Sequence, residues 1–350
     1  MFHVKHHNKL SIEDTTNMLY NHKKERGDHL NNKKISSTFT LIGLFSISLA
    51  SLYAINKTIS KLATSKGLLT DKNRQTYHWR FGDISYSVKG EGKPVLLVHN
   101  LKEDSSSVEW TEIISKLAKT NTVYAIDLLG CGLSEKPDIT YTSYMYTQLI
   151  NDFIRNIIKR KTSVIATGRS ASFVLGACSV NEKSYEEIIL INPENIHSLC
   201  KAPSKRTKTA KLILKTPVIG TFIYHILTKR KYIAEDFIDY YFYDRENISE
   251  ALIDSYYESA HIGEGKAKNV FISVKGRYSN ANIIRTLKNV NQNIHIIAGH
   301  EIPGIEEDMK EYQYYNPAIE VEYIDFTKGL PQLESPDEVM NYIGLYLYNE

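Results

Sequence analysis

The residues with the clearest chemical potential lie in Ser163-Val164-Ile165-Ala166-Thr167-Gly168-Arg169-Ser170-Ala171-Ser172-Phe173-Val174-Leu175. A β-branched run turns at Gly168 and passes into an apolar helical pattern, so Ser170 falls where a strand gives way to a helix. Gly168 and Ser172, two residues to either side of Ser170, are small enough for a turn too tight to admit larger side chains. A serine at a helix N-terminus lies near free N–H groups and partial positive charge, which suits a nucleophile whose attack creates an oxyanion. The plainer reading is a strand, turn and helix with no chemistry.

Such a serine needs a base within reach and an acid to orient it, and a sheet has to hold all three. Short apolar runs predict strands at 77–81, 84–88, 95–99, 123–127, 164–167, 188–191, 294–298 and 321–324. Amphipathic runs predict helices at 108–118, 144–158, 171–180, 306–315 and 337–346. The alternation implies an α/β fold with a mostly parallel eight-stranded sheet, helices on both faces and an antiparallel hairpin at one edge. Core residues are expected at 75–193 and 286–350. The tyrosine-rich segment 194–285 breaks the alternation and reads as a helical cap over the carboxyl edge of the sheet.

Three stretches in order resemble the α/β-hydrolase superfamily, particularly its epoxide hydrolase, haloalkane dehalogenase and carbon–carbon hydrolase branch. Pro94-Val95-Leu96-Leu97-Val98-His99-Asn100-Leu101 stands where that family carries a His-Gly pair. Asp127, Gly130, Gly132, Ser134 and Pro137 keep its D-x-x-G-x-G-x-S-x-x-P spacing, and Gly168-Arg169-Ser170-Ala171-Ser172 resembles its G-x-S-x-G elbow. The resemblance implies Ser170 as nucleophile and the backbone N–H groups of Leu101 and Ala171 as oxyanion hole. Asn100 replaces the family's glycine, and an asparagine that accepts a left-handed backbone would keep the loop's shape.

The other members of the triad depart from the family pattern. Ile302 stands where the acid is expected after the seventh strand, with Glu301 beside it and Glu194 after the sixth strand as substitutes. Pro331, Glu334 and Pro336 fix the register of the stretch that should carry the histidine, and Gly329 occupies its place. No histidine follows His300. His300, His261, His197 and Lys328 are the remaining candidates for a base. A serine without one keeps only residual catalysis.

The remaining sequence sets the context. At 350 residues with 42% apolar and 24% charged residues, the chain is long enough for one large α/β domain, and a net charge of +3 with no basic stripe argues against nucleic acid. Cys131, Cys178 and Cys200 have no metal or redox spacing, and neither a metal nor a cofactor is implied. Residues 1–34 read as a polar, basic tail whose scattered histidines lack metal-ligand spacing, and 57–74 as a linker. No charged residue occurs from Ile35 to Asn56, about the length that spans a bilayer, which predicts one transmembrane helix at 35–56. A cleaved signal peptide and a buried helix are the alternatives, and balanced flanking charge leaves orientation undecided.

Within the cap, Lys201, Lys205, Arg206, Lys208 and Lys211 precede the apolar stretch 212–224. The favoured reading is a lid helix on the core, the other an interfacial segment at a membrane. Tyr240, Tyr241, Tyr243, Tyr256 and Tyr257 could line a pocket for an apolar ligand. Together these features predict a membrane-anchored, serine-hydrolase-like protein acting on an apolar ester or acyl substrate. The alternative is an inactive homologue that binds a lipid-like ligand or a protein partner.

Overall fold

The computed structural model describes Ser46, residues 48–70 and residues 73–348. The tail expected at 1–34 and most of the transmembrane helix expected at 35–56 lie outside these residues. Among the described residues, no single helix is long and apolar enough to cross a membrane. The described residues divide into two units between Ala54 and Ile55, and residues 48–54 of the first are helical. The linker expected at 57–74 is corrected in part. Residues 57–63 are helical, because Asn56 and Ser60 find polar partners on the cap at the Val218 carbonyl (2.9 Å) and His225 (3.4 Å).

In the second unit an eight-stranded sheet runs in the order β1-β2-β4-β3-β5-β6-β7-β8. Its strands are β1 (Gln75–Trp79), β2 (Gly82–Lys89), β3 (Lys93–Val98), β4 (Asn121–Ile126), β5 (Thr162–Thr167), β6 (Tyr185–Ile191), β7 (Ile294–Gly299) and β8 (Glu320–Ile324). β1 pairs with β2 and β2 with β4 antiparallel, as the hairpin at Gly82-Asp83 predicts, while all other pairings are parallel. The predicted strands agree to within a few residues.

Successive side chains of a strand point to opposite faces, so a sheet covered on both sides needs apolar residues at every position. Val95 and Leu97 of β3 enter one core with Ile165, Ile189, Ile191 and Ile297, and Leu96 and Val98 enter the other with Ile126, Val164 and Leu190. The first core is covered by α1 (Thr111–Leu117), which supplies Ile113 and Leu117. The second is covered by α2 (Ser143–Phe153) and α3 (Ser170–Val180), through Leu149, Phe153, Phe173 and Val174.

Between β6 and β7 the chain forms α4 (Lys205–Leu214), α5 (Pro217–Leu227), α6 (Arg230–Asp236), α7 (Glu250–His261), α8 (Lys268–Lys275) and α9 (Ile284–Asn289). No strand occurs there among the described residues. Phe237, Phe242, Ile253 and Tyr256 build a small core of the cap's own, joined by Leu330 from the segment after β8. α10 (Ile305–Tyr315) and α11 (Pro336–Tyr348) complete the fold, with Val339 and Ile343 of α11 in the first core.

Candidate active site

β5 ends at Thr167 and the chain turns at Gly168, the left-handed residue of this turn, with φ +53°. Arg169 is already right-handed helical, at φ −62° and ψ −31°, and α3 begins at Ser170. Ser170, expected as the nucleophile of this turn, is thus the first residue of the helix. The side chain is fully buried behind the turn, and Oγ donates to the backbone carbonyl of His99 at 2.6 Å. Ser172, expected only as a small residue of the turn, turns its Oγ back to the Arg169 carbonyl at 2.7 Å.

The oxyanion donors also differ from expectation. The Ala171 N–H closes onto the Gly168 carbonyl at 3.3 Å, so the start of the helix uses it, and Leu101 is buried. The N–H that follows the left-handed Gly168 is that of Arg169, and it donates to Asn100 Oδ1 at 3.0 Å. A Cβ placed on Gly168 would stand 2.5 Å from the same oxygen. Asn100 itself is not left-handed, so its side chain sets it apart from the family's glycine. Its own N–H donates to Glu109 Oε2 at 3.1 Å, and Glu109 is fully buried with Thr167 Oγ1 and Gln332 Nε2 donating to its other oxygen. Burial pushes the Glu109 carboxyl up to about 7, although the bonds from Thr167 and Asn100 act the other way.

The sequence-predicted partners are not brought to Ser170. Glu194 pairs with the Arg169 guanidinium at 2.7 Å, and that guanidinium also donates to Ser279 and Asn280. His300 sits on the surface between Asp325 (2.6 Å) and Glu306 (3.3 Å), which raise its pKa through hydrogen bonds. Glu301 follows it in a turn tied to the Thr327 carbonyl, and Ile302 is half-buried against the second core. His261 is buried in the cap, where Nδ1 meets the Tyr257 carbonyl at 2.8 Å and burial lowers its pKa to about 4. His197 is exposed, and Lys328 Nζ donates to the Asp239 carbonyl at 3.4 Å.

Gly329, at the expected histidine position, donates its N–H to the Tyr240 carbonyl, and Leu330 donates to that of Tyr241, both at 3.1 Å. A Cβ at 329 would lie 2.6 Å from the Tyr240 oxygen. Glu334 tightens the same closure. Its Oε1 accepts the N–H groups of Tyr243 and Asp244, and its Oε2 that of Lys328. From the other side, Lys102 in the loop after β3 binds Asp104 (2.9 Å), Asp236 of α6 (2.5 Å) and the Tyr241 hydroxyl (3.1 Å). Sequence reading missed this loop's role, although three charged residues in a row, Lys102-Glu103-Asp104, were its visible signal. The cap is thus fastened down at the position where the resemblance expects the histidine.

Among the described residues, cavities of about 400, 320 and 450 Å³ lie elsewhere, and none of these is lined by Asn100, Gly168, Arg169 or Ser170. The tyrosines expected around a pocket divide. Tyr241 and Tyr256 pack against Phe237, whereas Tyr240 and Tyr243 are exposed. Asp127 of the glycine-rich motif is structural. It accepts the N–H groups of Ser107 (2.8 Å) and Leu133 (2.9 Å) and pairs with Arg74 at 2.8 Å, which leaves no room for a side chain at Gly132. Burial would raise its carboxyl, but Arg74, His99 and the two N–H groups outweigh burial and hold it below the usual range. Among the described residues, no group of His, Cys, Asp and Glu is arranged to hold a metal.

No family model matches the chain. It is similar to a 2-hydroxy-6-oxo-6-(2'-aminophenyl)hexa-2,4-dienoic acid hydrolase of Metapseudomonas resinovorans, 28% identical over 130 residues, or 35% of this chain and 45% of that protein. It is likewise 29% identical to a haloalkane dehalogenase of Agrobacterium fabrum over 125 residues, 35% of this chain and 40% of the relative. These matches thus span less than half the length of the curated relatives. Among solved structures, a membrane phospholipase A described as a bacterial virulence factor superposes with a TM-score of 0.62 at 16% identity, over 88% of this chain and 96% of that one. Sheet order, motif positions and these relatives agree: the chain is a member of the α/β-hydrolase superfamily.

Proposed function

We propose that this chain is a membrane-anchored α/β-hydrolase-fold protein that binds a lipid-like ligand or partner without hydrolysing it. In an elbow of this fold, the residue in the strained turn presents its side chain at the sheet edge, and the next N–H stabilises the oxyanion. By that rule the presenting position belongs to Gly168, which has no side chain, and Ser170 lies two residues too far into the helix.

The observation that carries the reading is the Asn100 carboxamide. Its oxygen takes the Arg169 N–H at 3.0 Å, so an internal amide stands where a substrate's oxygen would be stabilised. Gly329 at the histidine position, with the cap turn hydrogen-bonded to it, supports the same conclusion. Membrane attachment rests on the uncharged stretch from Ile35 to Asn56, and the likeness to a membrane phospholipase A fits a lipid-facing role.

Labelling of the purified full chain with a fluorophosphonate tests the reading. The expected result is no adduct with either wild type or Ser170→Ala. An adduct on wild type that Ser170→Ala abolishes would restore Ser170 as an active nucleophile. Extraction of membranes with alkaline carbonate tests the anchor separately, with the chain expected to stay in the pellet.

A further inference from the structure

We infer that α4 and α5 form an in-plane element that binds the surface of an anionic lipid bilayer. The two helices meet at a bend of 110° around Lys215-Thr216. α5 is amphipathic in the inverse sense for a water-facing helix. Its inward face is tied down by polar groups: Thr221 Oγ1 accepts from Lys268 (2.9 Å), the Tyr224 hydroxyl donates to the Ala260 carbonyl (2.7 Å), and His225 meets Ser60 (3.4 Å). Its outward face carries Ile219 (43% exposed), Ile226 (37%) and Leu227 (46%), and across the bend α4 exposes Leu212 (74%) and Ile213 (50%). Isoleucines at i and i+7 on a solvent face, opposite buried threonine and histidine, gain nothing from water, and clustered apolar exposure of this kind marks a docking surface.

Charge selects the occupant. From Lys201 to Ala234 the chain holds nine basic residues and no acidic one. Lys205, Arg206 and Lys208 of α4 make no ion pair among the described residues, whereas Lys215 and Arg230 are paired. An apolar stripe flanked by such cations is the pattern of interfacial helices, in which lysines and arginines near an anionic leaflet add electrostatic attraction to apolar burial. Continuity points the same way. The uncharged stretch that begins at Ile35 ends at Asn56, whose amide donates to the Val218 carbonyl of α5 at 2.9 Å. Ile55 and Leu62, seven residues apart, are exposed on helical residues 55–63 on either side of Asn56. This inference rests on α4 and α5 and holds whether or not residues 35–56 span the bilayer.

The test places an environment-sensitive fluorophore at Ile219→Cys, Ile226→Cys or, as control, Tyr144→Cys, an exposed residue of α2. The full chain is used in a Cys200→Ser background, since Cys131 and Cys178 are buried. Vesicles contain phosphatidylcholine alone or with about one third phosphatidylglycerol. The expected result is a blue shift and quenching by nitroxide-bearing acyl chains at 219 and 226, only in the anionic vesicles, with none at 144. Lys205→Glu, Arg206→Glu and Lys208→Glu together should weaken that quenching several-fold. Probes at 219 and 226 that stay as wet as 144 would overturn the inference, as would equal quenching in both vesicle types. Shielding that needs no lipid and rises with protein concentration would assign the face to a second copy instead. Carbonate extraction reads the 35–56 anchor independently of these probes.

Discussion

The side-chain oxygen of Asn100 accepts the backbone N–H of Arg169 at 3.0 Å, and the same oxygen leaves 2.5 Å for any Cβ placed on Gly168. The amide of one loop and the bare turn of another therefore require each other. Gly168→Ser should lower stability by about 1–3 kcal/mol through a left-handed backbone and the contact with Asn100. In an Asn100→Gly background the second cost disappears while the first remains, so the double variant should be more stable than the sum of the single changes by at least about 0.5 kcal/mol. Denaturant unfolding of the four proteins measures this. Strict additivity would mean that the two residues do not press on each other.

Restoring the family's histidine should not restore chemistry. Gly329→His places a Cβ 2.6 Å from the Tyr240 carbonyl oxygen, in a segment whose N–H groups hold the cap turn. Relief requires the backbone contact to part, and a loss of about 2 kcal/mol or more is expected, with no gain in ester hydrolysis. Thermal unfolding and an ester panel on the same preparation check both halves. Stable protein with new turnover would show that only the base is missing.

Asp127→Asn should be among the most damaging single changes. It leaves Arg74 as an uncompensated, largely buried charge, a situation that costs about 3–5 kcal/mol. The Asp127 carboxyl is held below its ordinary range in the folded chain, so its contribution is present above the unfolded value and is lost as pH falls through the folded one. Unfolding followed from neutral pH downward should therefore show acid lability in wild type and a shallower acid limb in Asp127→Asn.

Glu109 predicts the opposite slope. Burial raises its carboxyl from 4.5 to about 7, so its contribution is complete below 4.5, declines as pH rises to about 7 and is level above that. Glu103 has the same direction for the same cause. Glu109→Gln should flatten part of the fall in melting temperature across that interval. A melting profile parallel to wild type would show that Glu109 is ionised throughout, or neutral throughout.

The architecture was legible because period-two and period-3.6 patterns follow from strand and helix geometry alone. Val95 to Val98 and Ile188 to Ile191 had to be buried on both faces, and they are. The turn at Gly168 was legible as a turn, but not the residue at its apex. A shift of two residues in Gly168-Arg169-Ser170 leaves the pattern of small residues intact and exchanges an exposed hydroxyl for a buried one. Asn100 was read for its backbone tolerance, whereas its side-chain oxygen is what matters, and that depends on a partner 69 residues away. The outward apolar face of α5 was equally hidden. A run such as Pro217 to Leu227 gives no sign of which face its neighbours will cover.

The central claim is that the hydrolase scaffold is closed and silent at its elbow, and ester turnover by the full chain measures this most directly. Wild type and Ser170→Ala would be compared on acyl esters of increasing chain length, with unfolding curves run in parallel. Ser170→Ala loses one buried hydrogen bond to the His99 carbonyl, so stability should fall by about 1 kcal/mol while turnover stays at the buffer rate in both proteins. Turnover by wild type that disappears in folded Ser170→Ala would contradict the account.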